Sequence, residues 1–392
     1  MDASNNPYAP GAGSPPPELA GRDALLRDIA VNLKRIKNGR HAKSALLVGL
    51  RGVGKTVLLN RIAEDAEDDG IICLELESPE DRALPSILVP QLRKALNKLD
   101  QLKAAKEHAE KAWRALASFI SVSAECQGIN IRFHANPEPG TADTGDLEMD
   151  LRDLLVAVGK AAQKGETAVA IFIDELQYVK ESELAALITA LHKCQQRQLP
   201  VTVVGAGLPQ LVGETGKAKS YAERMFDFPE IGKLKRDAAA YAIKAPAERA
   251  GVAVAPDALD EILAKTEGYP YFLQEWGSKA WLAAENSTIT LEDVGVATRH
   301  ALGALDKSFF RVRYDRCTPT ENKYLRAMAE LGPGPHRSGD VAARMGRSQN
   351  SLAPLRNGLI KKGMIYSPKH GDTAFTVPLF DQFMKRTMPD WS

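Results

Sequence analysis

The sequence predicts an α/β fold: a parallel sheet with helices on both faces, then a helical domain, then a winged helix-turn-helix domain. Three observations carry this reading. Short apolar stretches (Ser44–Val48, Ala168–Ile173, Val201–Val204) alternate with helical patterns up to about Leu234, as strands buried on both faces do. Beyond Leu234 the strand signal stops and helical patterns follow at 237–250, 256–266, 271–284 and 291–304. At the end, short helices at 320–331, 338–345 and 348–362 precede strands at 364–366 and 374–377, joined by the loop Ser367–Asp372. Three helices and a two-stranded wing form the winged-helix order.

In chain order, residues 1–17 are polar and rich in Gly and Pro and read as a flexible lead. Leu25, Leu26, Ile29, Leu33 and Ile36 share one face of a first helix. A strand at 44–48, a glycine-rich turn and a helix at about 55–67 come next, then a strand at 71–76. Helical stretches at 83–99 and 101–119 lead into a polar segment, Gly128–Gly145. Helices at 147–163 and 181–196 flank the strand 168–173. The implied domains are 18–234, with a helical insertion at about 99–146, then 235–313 and 314–392.

Composition narrows the function classes. Of 392 residues, 44% are hydrophobic and 26% charged, which excludes a largely disordered chain. No apolar run reaches the roughly 18 residues that span a membrane, and the N-terminus lacks a signal-peptide pattern. Cys73, Cys126, Cys194 and Cys317 lie far apart, so a reducing cytoplasm is expected and a zinc cluster is not. His41, His108, His134, His192, His300, His336 and His370 are equally dispersed. The net charge of +1 hides an asymmetry: Thr318–Met388 holds eleven Lys and Arg against five Asp and Glu. A basic module of this kind either meets a polyanion or is a solvated face.

Gly49-Leu-Arg51-Gly52-Val53-Gly54-Lys55-Thr56 fits GxxxxGK[ST], between an apolar strand and an apolar-periodic helix. Glycines let the backbone curl until successive N–H groups face phosphate oxygens, and the helix N-terminus adds a favourable dipole. Lys55 supplies a cation for the β and γ phosphates, and Thr56 a hydroxyl for Mg²⁺. Gly49, Arg51, Gly52, Val53, Gly54, Lys55, Thr56 and Val57 are the expected nucleotide contacts. Further on, Val169-Ala-Ile-Phe-Ile-Asp174-Glu175 is an apolar strand ending in two carboxylates. Buried carboxylates are costly unless paired or metal-linked, and open α/β sheets bind ligands at this edge. Asp174 is expected to hold Mg²⁺ and Glu175 to polarise the attacking water.

These motifs resemble ATPases of the AAA+ and STAND group, and more closely the archaeal-type origin-recognition ATPases with a C-terminal winged helix. The resemblance spans about Glu18 to Pro389 and includes Ala20-Gly21-Arg22, Asp174-Glu175-Leu-Gln177, Ser220–Arg224 and Gly268-Tyr269-Pro270. It implies ATP with Mg²⁺, an AAA+-like P-loop core and a helical lid. It also places Ala20, Gly21 and Arg22 near the adenine and Pro270 near the nucleotide. Arg224 would be an arginine finger acting on a neighbouring subunit's nucleotide; the plain alternative is a surface arginine paired with Glu223 or Asp227. Likewise, Gly268-Tyr269-Pro270 can be a simple turn that opens a helix. Two departures stand out. The fourth strand ends in Gly205-Ala206-Gly207, with no Asn, Ser or Thr at its tip, and the lid lacks the usual sensor arginine. Both remove transition-state contacts, so slow hydrolysis is expected, a switch rather than a motor.

In the winged helix, Ser348, Gln349, Asn350 and Ser351 open the third helix, with Arg356, Lys361 and Lys362 further along it. Arg347 precedes it, and Lys369 and His370 mark the wing tip. Gln and Asn can read adenine edges, and the others suit phosphates. Leu352, Leu355 and Leu359 form that helix's core stripe. The combined expectation is a slow ATPase switch that binds duplex DNA through the winged helix and self-associates through its ATPase domain. The alternative is a STAND-like signalling or assembly ATPase whose winged helix meets protein. Tyr269, Tyr271, Phe272 and Trp276 read as core.

Overall fold

In the computed structural model of the protein, residues 1–11, 13–123, 137 and 139–390 are described. The chain forms two compact units: Asp23–Val48 with Lys55–Glu230, and Met1–Arg22 with Gly49–Gly54 and Ile231–Ser392.

The first unit runs α1 (Asp23–Lys37), β1 (Ser44–Val48), α2 (Lys55–Asp68), β2 (Ile72–Glu77), α3 (Leu84–Asp100), α4 (Lys106–Val122) and α5 (Leu147–Lys164). It continues with β3 (Val169–Asp174), α6 (Glu181–Gln196), β4 (Val201–Gly207), α7 (Leu211–Ala218), α8 (Ala222–Met225) and β5 (Phe226–Asp227). The five strands form one parallel sheet in the order β2-β3-β4-β1-β5. Every residue of β1, β3 and β4 is buried, which is why these strands read as continuous apolar runs. β2, at one edge of the sheet, buries Ile72, Leu74 and Leu76 and leaves Glu75 and Glu77 exposed. Helices α3, α4 and α5 bury Leu92, Leu96, Trp113, Leu116, Phe119, Leu151 and Leu155 in the same core as the sheet. Asp146 caps α5 by accepting from the Met149 N–H at 2.9 Å. This topology brings the C-terminal ends of β1 and β3 to one edge of the sheet, with β4 between them.

The second unit contains α9 (Arg236–Arg249), β6 (Ala253–Val254), α10 (Pro256–Thr266), α11 (Pro270–Ala283), β7 (Thr288–Ile289) and α12 (Leu291–Leu305). A π-helical turn at Asp306–Phe310 leads to α13 (Arg311–Asp315), α14 (Pro319–Glu330), β8 (His336–Arg337), α15 (Ser338–Arg344) and α16 (Gln349–Lys361). β9 (Ile365–Tyr366), β10 (Asp372–Phe375) and α17 (Phe380–Thr387) complete it. β8, β10 and β9 form a three-stranded antiparallel sheet. The expected boundary at 313/314 falls inside one continuous core: Phe309 stacks on Tyr271 with ring centroids 4.7 Å apart, and Phe310 on Phe383 at 5.3 Å.

The N-terminal segment departs from the sequence reading. Instead of a flexible lead, residues 1–9 are fastened to the helical region. The Tyr8 hydroxyl donates to the Ile243 carbonyl at 2.6 Å, the Trp281 indole to the Asp2 carbonyl at 2.9 Å, and the Ala9 N–H to Gln274 at 3.1 Å. The physical reason is Tyr8, which is 5% exposed and lies against Gly277, where a Cβ would come within 2.6 Å of its ring. One aromatic in a polar stretch is enough to anchor it.

Cys73, Cys194 and Cys317 are free thiols. Burial pushes Cys73 and Cys194 up to about 12 and Cys317 up to about 11, which favours the protonated thiol at neutral pH. Cys126 and His134 lie outside the described residues. Among those described, no group of three His, Cys, Asp or Glu could hold a metal, and no helix is long and apolar enough to cross a membrane.

Candidate nucleotide-binding site

The loop Gly49–Gly54 leaves β1 and enters α2, with Gly52 and Gly54 in the left-handed region at φ 80° and 89°. Only glycine adopts that backbone without penalty, so these two positions give the loop its curl. Gly49 has a different reason to lack a side chain: a Cβ there would lie 2.1 Å from the Ile231 carbonyl oxygen. Around the loop, the Tyr271 N–H donates to the Gly52 carbonyl and the Arg51 N–H donates to the Thr376 carbonyl, each at 3.1 Å. These two partners were invisible in the sequence because both contacts are made by backbone groups.

Ala20 is buried, and Gly21 and Arg22 sit against the segment 232–238. Arg22 donates to the Gly232 carbonyl at 2.5 Å, and a Cβ on Gly21 would meet that of Ala238 at 2.8 Å. Gly268 (φ 75°) accepts from the Leu234 N–H at 2.8 Å, and a Cβ on it would meet the Leu234 carbonyl at 2.7 Å. Arg22 and Gly268 thus both bond to the stretch 232–234. Pro270 occupies the first turn of α11, where its fixed φ and missing N–H are tolerated.

In the sheet unit, Lys55 and Thr56 form the first turn of α2, followed by Val57. Lys55 is 8% exposed. The Thr56 hydroxyl donates to Asp174 Oδ2 at 2.5 Å, and Asp174 Oδ1 accepts from the Glu175 N–H at 2.8 Å. Burial holds the Asp174 carboxyl above its ordinary range; the bonds from Thr56 and Glu175 oppose that shift. Glu175 lies in the left-handed region (φ 52°, ψ 39°), an uncommon backbone for a residue with a side chain. Gln177 donates to Glu175 Oε2 and accepts from the Leu208 N–H at 3.0 Å, just beyond the tip of β4. The sequence offered Gln177 only as part of a motif; its bridging role depends on β4, thirty residues away.

Arg224 lies exposed on α8, and Asp227 pairs with Lys43 at 3.2 Å rather than with Arg224. In the C-terminal region, Arg347, Gln349, Asn350, Lys361, Lys369 and His370 are exposed. Four of the expected DNA contacts have work within the fold. Ser348 caps α16, accepting from the Ser351 N–H at 3.3 Å, and the Ser351 hydroxyl returns to the Ser348 carbonyl at 2.7 Å. Arg356 donates to Thr373 Oγ1 and the Asp372 carbonyl, each at 2.8 Å, fastening α16 to β10. Lys362 bonds Glu321 at 2.7 Å and the Arg316 carbonyl at 3.0 Å. A cleft of about 240 Å³ between α16 and the β9–β10 loop is lined by Gln349, Arg356, Asn357, Ser367 and His370.

Residues 18–204 match the family described as the AAA ATPase domain, and residues 307–384 match one described only as a domain of unknown function. No curated protein matches the chain. Among solved structures, the chain is similar to the Walker-type ATPase paby2304 of Pyrococcus abyssi, at 16% identity and a TM-score of 0.58, over 94% of this chain and 96% of that one. It is also similar to CDC6P from Pyrobaculum aerophilum, at 14% identity, TM-score 0.49, over 99% and 98%. The Aeropyrum pernix ORC1 protein, solved in complex with DNA, gives 16% identity and a TM-score of 0.45 over 95% and 94%. At 16% identity the likeness to the Pyrococcus abyssi ATPase is one of fold.

Proposed function

We propose that this chain, an ATPase of the AAA group, is a slowly hydrolysing switch in which nucleotide at residues 49–57 governs how the C-terminal module grips duplex DNA. The observation that carries the reading is the bonding of the loop backbone. Gly52 is tied to Tyr271 at the start of α11 and Arg51 to Thr376 beside β10. A triphosphate that reshapes this loop therefore acts directly on the helical region and on the C-terminal module. Differential contacts of that kind are what a nucleotide needs to shift a conformational equilibrium.

The site's residues fit the expected ligands. Loop amides and Lys55 suit phosphate oxygens. The Thr56 hydroxyl and the Asp174 carboxylate are hard oxygen donors brought together at 2.5 Å, the type of set that holds Mg²⁺ beside phosphates. When bound, the metal supplies charge neutralisation on the β and γ phosphates. Glu175 would orient a water and accept its proton as that water attacks the γ phosphorus, while the bond from that phosphorus to the β–γ bridging oxygen breaks and ADP leaves. Arg224, exposed on α8, suits action on the nucleotide of a neighbouring copy. In the C-terminal module, which we read as a winged helix, Arg347, Lys361, Lys369 and His370 are the phosphate contacts, and Gln349 and Asn350 the base-edge readers.

The test is duplex affinity by fluorescence anisotropy without nucleotide, with ADP and with a non-hydrolysable ATP analogue. The switch requires the analogue to differ from ADP by at least about fivefold, the lower end of usual coupling energies; equal affinities in all three states reject it. A second reading draws on the same Arg51–Thr376 bond: the module is a lid on its own nucleotide loop and its partner is a protein. Under that reading duplex binding is absent, or lacks the steep salt dependence of phosphate contacts.

A further inference from the structure

We propose that Gln177 is the positioning residue for hydrolysis: its carboxamide aims the Glu175 carboxylate by tying it to the tip of β4. The inference rests on the role given above to Glu175. Gln177 Nε2 donates to Glu175 Oε2, while its Oε1 accepts from the Leu208 N–H at 3.0 Å. The amide orientation is fixed by chemistry. Reversed, Oε1 would face a carboxylate and Nε2 would face an N–H, so both contacts would turn repulsive. No other uncharged side chain of this length offers a donor at one end and an acceptor at the other.

Two features of the backbone serve this bridge. Glu175 stands in the left-handed conformation, which breaks the path of the chain after β3 and lets residues 175 and 177 meet. Such strain in a residue with a Cβ persists where the surroundings hold it. At the tip of β4, Gly207 leaves the space that Gln177 occupies: a Cβ there would lie 2.8 Å from Gln177 Oε1. β4 carries no polar side chain of its own at its tip, and the polar group found there is the carboxamide of Gln177. Holding Oε2 fixes the orientation of the Glu175 carboxylate. Gln177 acts through Glu175, to which it is bonded.

The experiment uses the full chain and measures kcat for ATP, the Kd of a fluorescent ATP analogue with Mg²⁺, and the melting temperature. The variants are Q177A, the isosteric Q177E and E175Q. Misplacing a catalytic group by about 1 Å costs on the order of a hundredfold in rate, so Q177A and Q177E should each lower kcat ten- to hundredfold, with Kd within about twofold of wild type. Q177E preserves volume and its acceptor to Leu208 but sets a carboxylate against Glu175, so it separates the bridge from simple packing. Wild-type kcat in either variant overturns the proposal, as does a rise in Kd that matches the fall in kcat. If E175Q hydrolyses at the wild-type rate, the role of Glu175 fails and Gln177 falls with it. If E175Q is inactive while Q177A or Q177E turns over normally, only Gln177 is wrong.

Discussion

The hydroxyl of Thr56, on the first turn of α2, donates to the carboxylate of Asp174, at the end of β3, across 2.5 Å. Residues 118 positions apart are brought together because β1 and β3 end at the same sheet edge. Asp174 is 9% exposed, and burial raises its pKa. For an acid whose folded pKa is raised, folding disfavours the ionised form; stability is highest at low pH and falls as pH rises through the raised value. Asp174→Asn removes that charge and keeps both contacts, its oxygen accepting from the Glu175 N–H and its NH2 donating to the Thr56 hydroxyl oxygen. We expect its melting temperature without ligand to equal or exceed that of wild type at neutral pH, while the extra stabilisation by Mg²⁺ with ATP is lost. A Mg²⁺-ATP shift as large as the wild type's would remove Asp174 from the metal.

Lys55 tests the phosphate side independently. A hydrogen bond to a charged group contributes about 1.5–3 kcal/mol, or roughly ten- to hundredfold in affinity. Lys55→Ala should weaken a fluorescent ATP analogue by that factor. Lys55→Arg should not restore binding, since a planar guanidinium does not replace a compact ammonium at a largely buried position. Unchanged titration curves for both variants would place the phosphates elsewhere.

What the sequence made legible follows from locality. Strand, glycine loop and helix are contiguous in the chain, so the phosphate loop and the core strands β1, β3 and β4 could be read directly. Asp174 and Glu175 were visible because carboxylates directly after a buried apolar run are costly to keep there unless a site uses them. The rest depends on partners distant in the chain. β5 and β8 are two residues each and exist only because β1 and β10 pair with them. Arg356 and Lys362 read as phosphate contacts in the sequence, whereas in the fold Thr373 and Glu321 hold them. Polar tails with one aromatic, like residues 1–9, carry no periodicity that would reveal a docking site.

That docking makes a stability prediction. Burial raises the Tyr8 phenol well above its ordinary pKa, and its hydroxyl bonds Ile243. Tyr8→Phe removes one hydrogen bond and should cost about 1 kcal/mol. Tyr8→Ala also empties the space against Gly277 and should cost about 3–5 kcal/mol, as large aromatic truncations do. Chemical denaturation monitored by tryptophan fluorescence measures both, because Trp276 and Trp281 lie in the same core as Tyr8. Equal midpoints for Tyr8→Ala and wild type would mean that the segment is dispensable.

The C-terminal cations divide by what already holds them, and this division makes the DNA reading quantitative. Arg347 and Lys369 are exposed, so each phosphate contact they supply should contribute about one to the slope of log affinity against log salt. Arg347→Ala and Lys369→Ala should each flatten that slope by about 1 and weaken duplexes of any sequence alike. Arg356→Ala should behave differently, because its guanidinium is bonded to Thr373 and Asp372. Its loss loosens α16 from β10, which lowers thermal stability and reduces affinity through misplacement of the helix, with the salt slope unchanged. Should Arg356→Ala flatten the slope as much as Lys369→Ala while the melting temperature holds, Arg356 must exchange its internal partners for phosphate on binding, and the assignment of cations would be reversed.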